Sequence, residues 1–329
     1  MHPALLISIV LLAALASALL LSRCFGARNR VCCLMYHRLL PAALYEKLQG
    51  TERLFTVPAE EFETQVCELV RQGYRFVTPE QIIDFAEGRE TLPDKSVLIT
   101  FDDGCVSVYQ LALPILERHG ACGTIFMTTD SHSAIFPESD TTQRRMTEEE
   151  MRDAVSRGLS VGSHSVSHRP LRGLADEEIR HELAESKRVL ETITGREVCA
   201  FAVPGNWYDA RVLRIAREVG YRGLWWSNPG WVRPAGTALG LPRIHIEGHY
   251  NLRQFRHALS RIGVFQRALL SWIKWLPGRI LGPRFWSPIR RVILSVVPGG
   301  YISLGRLTVA GLLLVGLIVF LIILAFAQR

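Results

Sequence analysis

Two short segments concentrate the side chains that could do chemistry. Thr100-Phe101-Asp102-Asp103-Gly104 places two adjacent carboxylates directly after an apolar run, Val97–Phe101. Neighbouring residues at a strand end point in different directions, so one can hold a metal while the other faces a substrate water. By itself Asp-Asp-Gly is also an ordinary turn. Ser163-His164-Ser165-Val166-Ser167-His168 follows a second apolar stretch and supplies a His-x3-His pair. Spacing of four carries both imidazoles to one side of a helical turn, as a divalent transition metal requires, although an isolated pair of this kind is often only solvated. Taken together, one carboxylate and two imidazoles are the parts of a three-ligand catalytic centre with a position open for water.

The elements that must position these groups alternate in type. Val31–Tyr36 reads as a buried strand, Glu60–Gly73 as a helix with Phe62, Val66, Leu69 and Val70 on one face, and Tyr74–Val77 as a strand. Strand Val97–Phe101, helix Val106–His119 and strand Thr124–Thr128 follow, with Asp130–Arg145 as a surface loop. Helix Glu148–Arg157, strand Leu159–Gly162, helix Asp176–Thr194, strand Cys199–Val203, helix Asp209–Val219 and strand Gly223–Trp226 continue the pattern. Repeated β-α units predict a barrel-like α/β domain with parallel strands and its site at their C-terminal rim. An open doubly wound sheet is the alternative, but neither GxGxxG nor a P-loop is present to support it.

In TFDDG at 100–104 and HSVSH at 164–168 the chain resembles the polysaccharide deacetylases of the NodB-homology type, carbohydrate esterase family 4. Their membrane-associated branch has an early Tyr-His element, resembled by LMYHRL at 34–39, and then a block resembled by FETQVCELVRQGYRFVTPEQ at 62–81. The resemblance spans residues 31–247 and implies a distorted (β/α) barrel. It implies that Asp103, His164 and His168 bind a divalent metal, usually zinc, and that Asp102 is the general base. That chemistry is coherent: a metal polarises the amide carbonyl and lowers the pKa of a water, whose proton Asp102 accepts. Oxyanion charge would be held by the metal and a backbone N–H after Pro204.

The third motif departs from the family. FAVPGNWYD at 201–209 looks like its Phe-Ala-x-Pro form, but Gly205 and Asn206 stand where Tyr and Gly are usual. A backbone donor tolerates such changes, while sugar stacking shifts to Trp207 or Tyr208. The Arg that other branches use to orient the base is absent, Ala202 occupying that region. Leu224-Trp225-Trp226 resembles the pocket's apolar wall or is a core strand. Leu241-Pro242-Arg243-Ile244-His245-Ile246 resembles the late strand and makes His245 the candidate acid for the departing amine, against a strand-end histidine that is merely satisfied. His37 caps the first strand or lines the pocket, with the cap preferred.

Composition excludes several classes. Of 329 residues 48% are hydrophobic and 21% charged, which excludes a disordered or fibrous chain. The net charge of +7 is unevenly placed: from Asn251 onward there are 11 basic residues and no acidic one, leaving 27 basic against 31 acidic before it. No nucleic-acid partner is therefore expected. Seven cysteines form no zinc-type CxxC pair. Residues 4–22 and 307–327 are uncharged and long enough to span a bilayer, predicting N- and C-terminal transmembrane helices around a catalytic domain at 31–250. A cleaved signal peptide is the alternative for the first. Residues 251–306 interleave Arg and Lys with Phe and Trp, which suits lipid headgroups. Positive-inside reasoning leans cytoplasmic for the domain, whereas most of the family works outside the cytoplasm.

The resulting expectation is a metal-dependent N-deacetylase of the bacterial inner membrane, acting on an amino-sugar polysaccharide or a lipid-linked saccharide. Alternatives are a deformylase of a lipid-linked amino sugar, an O-acetyl esterase, or a catalytically silent membrane sugar-binding protein.

Overall fold

Parallel strands buried on both faces need apolar side chains at nearly every position, and Ser96–Phe101 (SVLITF), fully buried along its length, is such a strand. The computed structural model describes residues 31–130, 143–268 and 271. Its strands are β1 (Cys32–Tyr36), β2 (Arg38–Leu40), β3 (Thr56–Pro58), β4 (Arg75–Phe76), β5 (Ser96–Phe101), β6 (Thr124–Met127), β7 (Ser160–Ser163), β8 (Ala200–Ala202), β9 (Gly223–Trp225), β10 (Leu239–Leu241) and β11 (Ile244–His245). The main sheet runs β10-β9-β8-β7-β6-β5-β1-β11, with β4 beside the start of β5, and its pairs are parallel. β2 and β3 form a separate parallel pair. This is the curled α/β sheet that the alternating pattern predicted.

One extended stretch supplies both ends of the curl. Leu239–Leu241 pairs with β9, and Ile244–His245 pairs with β1, so the chain changes partner across Pro242-Arg243. The Arg243 N–H still donates to Asn228 O (3.0 Å), while Ile246 N–H donates to Met35 O (3.0 Å) on the other side. The late strand read from 241–246 is therefore split, and a proline without an N–H stands at the switch.

Alternation along the strands builds two apolar layers. Cys32, Leu34, Tyr36, Ile99 and Phe101 pack with residues of the surrounding helices, including Phe62, Val66, Ile179 and Leu183. Cys33, Leu98, Phe126, Ala200, Ala202 and Trp225 form a second cluster inside the curl, where Phe126 and Trp225 lie 5.6 Å apart by ring centroid. The expected helix 106–119 is interrupted: a π-helical turn, Val108–Ala112, leads into an α-helix, Leu113–Arg118. Pro114 cannot donate to that turn, which widens instead.

The expected spans 4–22 and 307–327, and most of the basic segment 251–306, lie outside the described residues. Among the described residues no helix is long and apolar enough to cross a membrane.

Candidate active site

The candidate side chains lie at or just beyond the C-terminal ends of strands. After β5 the Asp102 N–H still pairs with Tyr36 O (3.0 Å), which keeps this residue in sheet register with its side chain buried. Asp103 then turns into the left-handed region (φ 72°), as does Gly104 (φ 78°). A Cβ on Gly104 would lie 2.6 Å from Met127 Sδ, so the close approach and the positive φ both favour glycine. The turn separates the two carboxylates as expected for adjacent residues: one faces inward and the other faces the histidines.

His164 is held from two sides. Its N–H donates to Met127 O (2.8 Å) and its Nδ1 lies 2.7 Å from Ala202 O. A carbonyl can only accept, so Nδ1 carries the proton and the Nε2 lone pair points to the carboxylates. Nε2 lies 3.7 Å from Asp103 Oδ1 and 3.9 Å from Asp102 Oδ2. His168 Nε2 lies 3.3 Å from Asp103 Oδ1. Donor atoms of Asp103, His164 and His168 thus all fall within 4.8 Å of one another. Burial, opposed by Asp102, moves the His164 pKa down to about 4, so its ring is neutral at pH 7 and able to ligate. A carboxylate and two imidazoles suit a first-row divalent metal, and this donor set fits one.

The His-x3-His segment is not a helical turn. Ser165 (φ 70°) and His168 (φ 58°) are both left-handed, and a compact loop brings the two rings to 4.8 Å. Neither residue is a glycine, so the spacing alone gave no sign of this backbone.

Asp102 has the partner that the third motif lacked. Arg243 donates from both guanidinium ends, to Oδ1 (2.6 Å) and Oδ2 (2.8 Å), and a further N–H reaches Thr100 Oγ1 (3.2 Å). Its Nε–H donates to Trp226 O (3.2 Å), which fixes the fork. Burial by itself would raise the Asp102 pKa, but the Arg243 charge and hydrogen bonds, with His164, hold it well below the ordinary carboxylate range. In the sequence Arg243 is marked only as a neighbour of His245. The available signal was a charged residue inside an apolar strand, which has to be paired if it is buried.

His245, at the end of β11, packs against Phe55 (5.1 Å) and His37 (5.6 Å). Its Nε2 and His37 Nδ1 are buried without hydrogen-bond partners among the described residues. Burial, with the His37 and Arg267 charges, lowers the His245 pKa well below its ordinary value; burial also lowers His37, against Asp103 and Asp102. His37 therefore lines the site rather than simply capping β1.

The third motif forms a 3-10 turn, Pro204–Asn206. Asn206 and Trp207 N–H groups are used within it, donating to Val203 O (3.3 Å) and Pro204 O (3.2 Å). The Gly205 N–H is the remaining amide of the turn. Gly205 is left-handed (φ 56°), and a Cβ there would sit 2.9 Å from the Trp207 ring. Asn206 ties the turn to the loop after β9, donating from Nδ2 to Asn228 Oδ1 (3.1 Å) and accepting from Ser227 N–H (3.2 Å). Tyr208 stacks on Trp226 (4.4 Å), making both part of the wall, whereas Trp207 remains 44% exposed. Of the two stacking candidates, Trp207 is the one that presents a face to solvent.

A parallel α/β curl with a buried Asp–Arg pair beside an Asp-His-His cluster at its C-terminal rim defines a hydrolase-type centre. Comparison with known proteins makes the class specific. Residues 89–224 match the family model for polysaccharide deacetylase. The chain is 30% identical over 207 residues to the Bacillus subtilis protein "Putative polysaccharide deacetylase YxkH", covering 63% of this chain and 71% of that one. It is 28% identical over 141 residues to a chitooligosaccharide deacetylase of Azorhizobium caulinodans, covering 42% and 61%. A Streptococcus pyogenes deacetylase structure in complex with acetate superposes with a TM-score of 0.61 at 23% identity, over 71% of this chain and all of that one, which shows the shared fold. The chain belongs to the polysaccharide deacetylase family, hydrolases that act on amide bonds.

Proposed function

We propose that the protein is a metal-dependent N-deacetylase that removes acetyl from an amino sugar, and that it works at the bacterial inner membrane on a lipid-linked or membrane-proximal saccharide. The observation that carries the catalytic part is the placement of an Arg-clamped, ionised Asp102 within 3.9 Å of a histidine in the Asp103-His164-His168 cluster. The uncharged segments 4–22 and 307–327 and the acid-free stretch after Asn251 support the membrane part.

Asp103 Oδ1, His164 Nε2 and His168 Nε2 would hold the metal, with zinc the expected ion. When bound, a divalent metal supplies Lewis acidity for the amide carbonyl and makes a water acidic enough to attack. Asp102 is placed to accept a proton from the attacking water, and Arg243 keeps the carboxylate ionised and aimed. The Gly205 N–H supplies a donor for developing oxyanion charge. His245 is neutral at rest, so it becomes the acid for the departing amine only after taking up a proton. Trp207 offers a platform for a sugar ring, with the Tyr208–Trp226 wall behind it.

The test is release of acetate and of formate, with and without a chelator, from N-acylated polymer and from lipid-linked amino sugar by detergent-solubilised full-length protein. Chelator-sensitive acetate release is expected, greater from the lipid-linked substrate. Formate release would make it a deformylase, and loss of an O-acetyl group alone an esterase. No release from any substrate by metal-loaded protein would overturn the enzymatic reading in favour of a binding protein.

Trp207→Ala is expected to raise KM on a saccharide about tenfold while leaving kcat nearly unchanged, because losing the platform removes roughly 1.5 kcal/mol of contact from ground and transition states alike. Steady-state kinetics on one oligosaccharide checks this. An unchanged KM would remove Trp207 from the site.

A further inference from the structure

The loop that carries His168 is held from behind by a carboxylate outside all the recognised motifs. Glu182 lies in the helix Asp176–Thr194, on the face that also buries Ile179, Leu183 and Ser186, and is itself 3% exposed. Its Oε2 accepts from the Val166 N–H (3.0 Å) and the Ser167 N–H (2.9 Å). Its Oε1 accepts from Ser167 Oγ (2.6 Å) and from Arg169 Nε (3.0 Å). Four donors from residues 166, 167 and 169 therefore converge on one buried carboxylate, and they bracket His168.

We infer that Glu182 is a positioning residue for the metal centre, fixing the backbone that delivers the His168 imidazole; this rests on the metal-binding reading of Asp103, His164 and His168. The loop needs such a device because two of its non-glycine residues, Ser165 and His168, take the left-handed conformation that L-residues adopt reluctantly. Local hydrogen bonds help, from Ser165 N–H to Ser163 Oγ (3.3 Å) and from His168 N–H to Ser165 Oγ (3.1 Å). These are neutral and lie within the loop. Glu182 provides the charged anchor from a long helix, and hydrogen bonds to an ionised acceptor are about twice as strong as neutral ones.

The two histidine ligands differ in how they are secured. His164 is fixed independently by Met127 O and Ala202 O, so it keeps its place without Glu182. His168 has a side chain 41% exposed, and its position follows from the loop backbone. Loss of Glu182 therefore loosens one ligand of three.

The experiment measures metal affinity, using zinc in competition with a chromophoric chelator and the visible absorption of the Co(II) form, on full-length detergent-solubilised protein. Glu182→Ala is expected to weaken zinc binding 10- to 100-fold, the usual effect of removing a group that orients a ligand, and to alter the Co(II) spectrum. Glu182→Gln retains one oxygen for the Val166 and Ser167 amides but turns an NH2 toward Arg169, so a smaller loss is expected; it carries the test if the Ala variant does not fold. Glu191→Gln is the control. Glu191, on the same helix, accepts from Val198 N–H (3.0 Å) and Lys187 Nζ (2.6 Å) and supports no ligand. It should lower Tm without changing zinc affinity. Wild-type affinity and an unchanged Co(II) spectrum in the Gln and Ala variants would overturn the inference. Failure of the unaltered protein to bind zinc would instead overturn the metal-binding reading beneath it.

Discussion

Replacing Arg243 with Met is expected to lower kcat/KM at least a hundredfold and to destabilise the fold at neutral pH. Arg243 is fully buried and makes a two-pronged contact with Asp102, itself 3% exposed. Removing one member of a buried pair typically costs about 3–5 kcal/mol, because the other charge stays behind uncompensated. Asp102 then loses the charge and the hydrogen bonds that chiefly offset its burial, and its pKa rises. In the unaltered protein the depressed pKa contributes stability that is present above the unfolded carboxyl value and is lost as pH falls through the folded one. In the Met variant the folded value lies above the unfolded one, so the penalty is greatest at neutral pH and is relieved as the pH drops and the carboxyl protonates. The stability gap between the two proteins should therefore narrow toward about pH 4, the ordinary Asp range. The acid limb of the pH–rate profile should move upward for the same reason. Arg243→Lys should fall between them, since a single ammonium cannot reproduce the fork. Pairing Asp102→Leu with Arg243→Met should restore much of the stability while activity stays absent, which separates the catalytic role of the pair from its structural one. Denaturant unfolding and pH–rate profiles check these outcomes. An unshifted acid limb in the Met variant would mean that Asp102 is not the group whose ionisation limits turnover.

Arg243 also marks where sequence reasoning stops. The motifs after β5 and β7 are legible because a buried parallel strand is a short apolar run, and the polar residues that end it are conspicuous. Arg243 lies 141 residues from Asp102, and they meet only because β11 pairs with β1, the neighbour of β5. No local spacing encodes that adjacency. The His164–His168 pair shows the opposite case. Its spacing implies two imidazoles brought together, and the rings do meet at 4.8 Å, but on another backbone: the spacing predicts a helical turn, whereas Ser165 and His168 are left-handed. Serine and histidine carry no signature of that conformation, and the restraint comes from Glu182 on a later helix. One histidine after a strand suggests a cap and gives no hint of the Phe55 and His245 rings that lie beside His37. The wall made by Tyr208 and Trp226 likewise depends on adjacent strand ends, not on sequence distance.

The adjacent carboxylates should separate metal binding from turnover. Asp103→Ala is expected to lose bound metal and activity together: Oδ1 lies 3.3 Å from His168 Nε2 and 3.7 Å from His164 Nε2, and without it only the two imidazoles of the cluster remain. Asp102→Asn is expected to keep the metal, because its carboxylate is occupied by Arg243 and the three-donor cluster is formed without it. Turnover should nevertheless fall by about 10²–10⁴, the usual contribution of a positioned general base, since an amide cannot accept the proton. Part of that loss could come from setting an amide NH2 against a buried guanidinium, so the fold of the Asn variant is checked by its unfolding transition. Metal content after dialysis, measured by elemental analysis beside acetate release, distinguishes the two residues. Metal retained in the Asp103 variant would refute its place among the ligands. Turnover retained in the Asp102 variant would move the base elsewhere, and His37 would be the first alternative to examine, since Asp103 and Asp102 both act on its charge and its Nδ1 has no partner among the described residues.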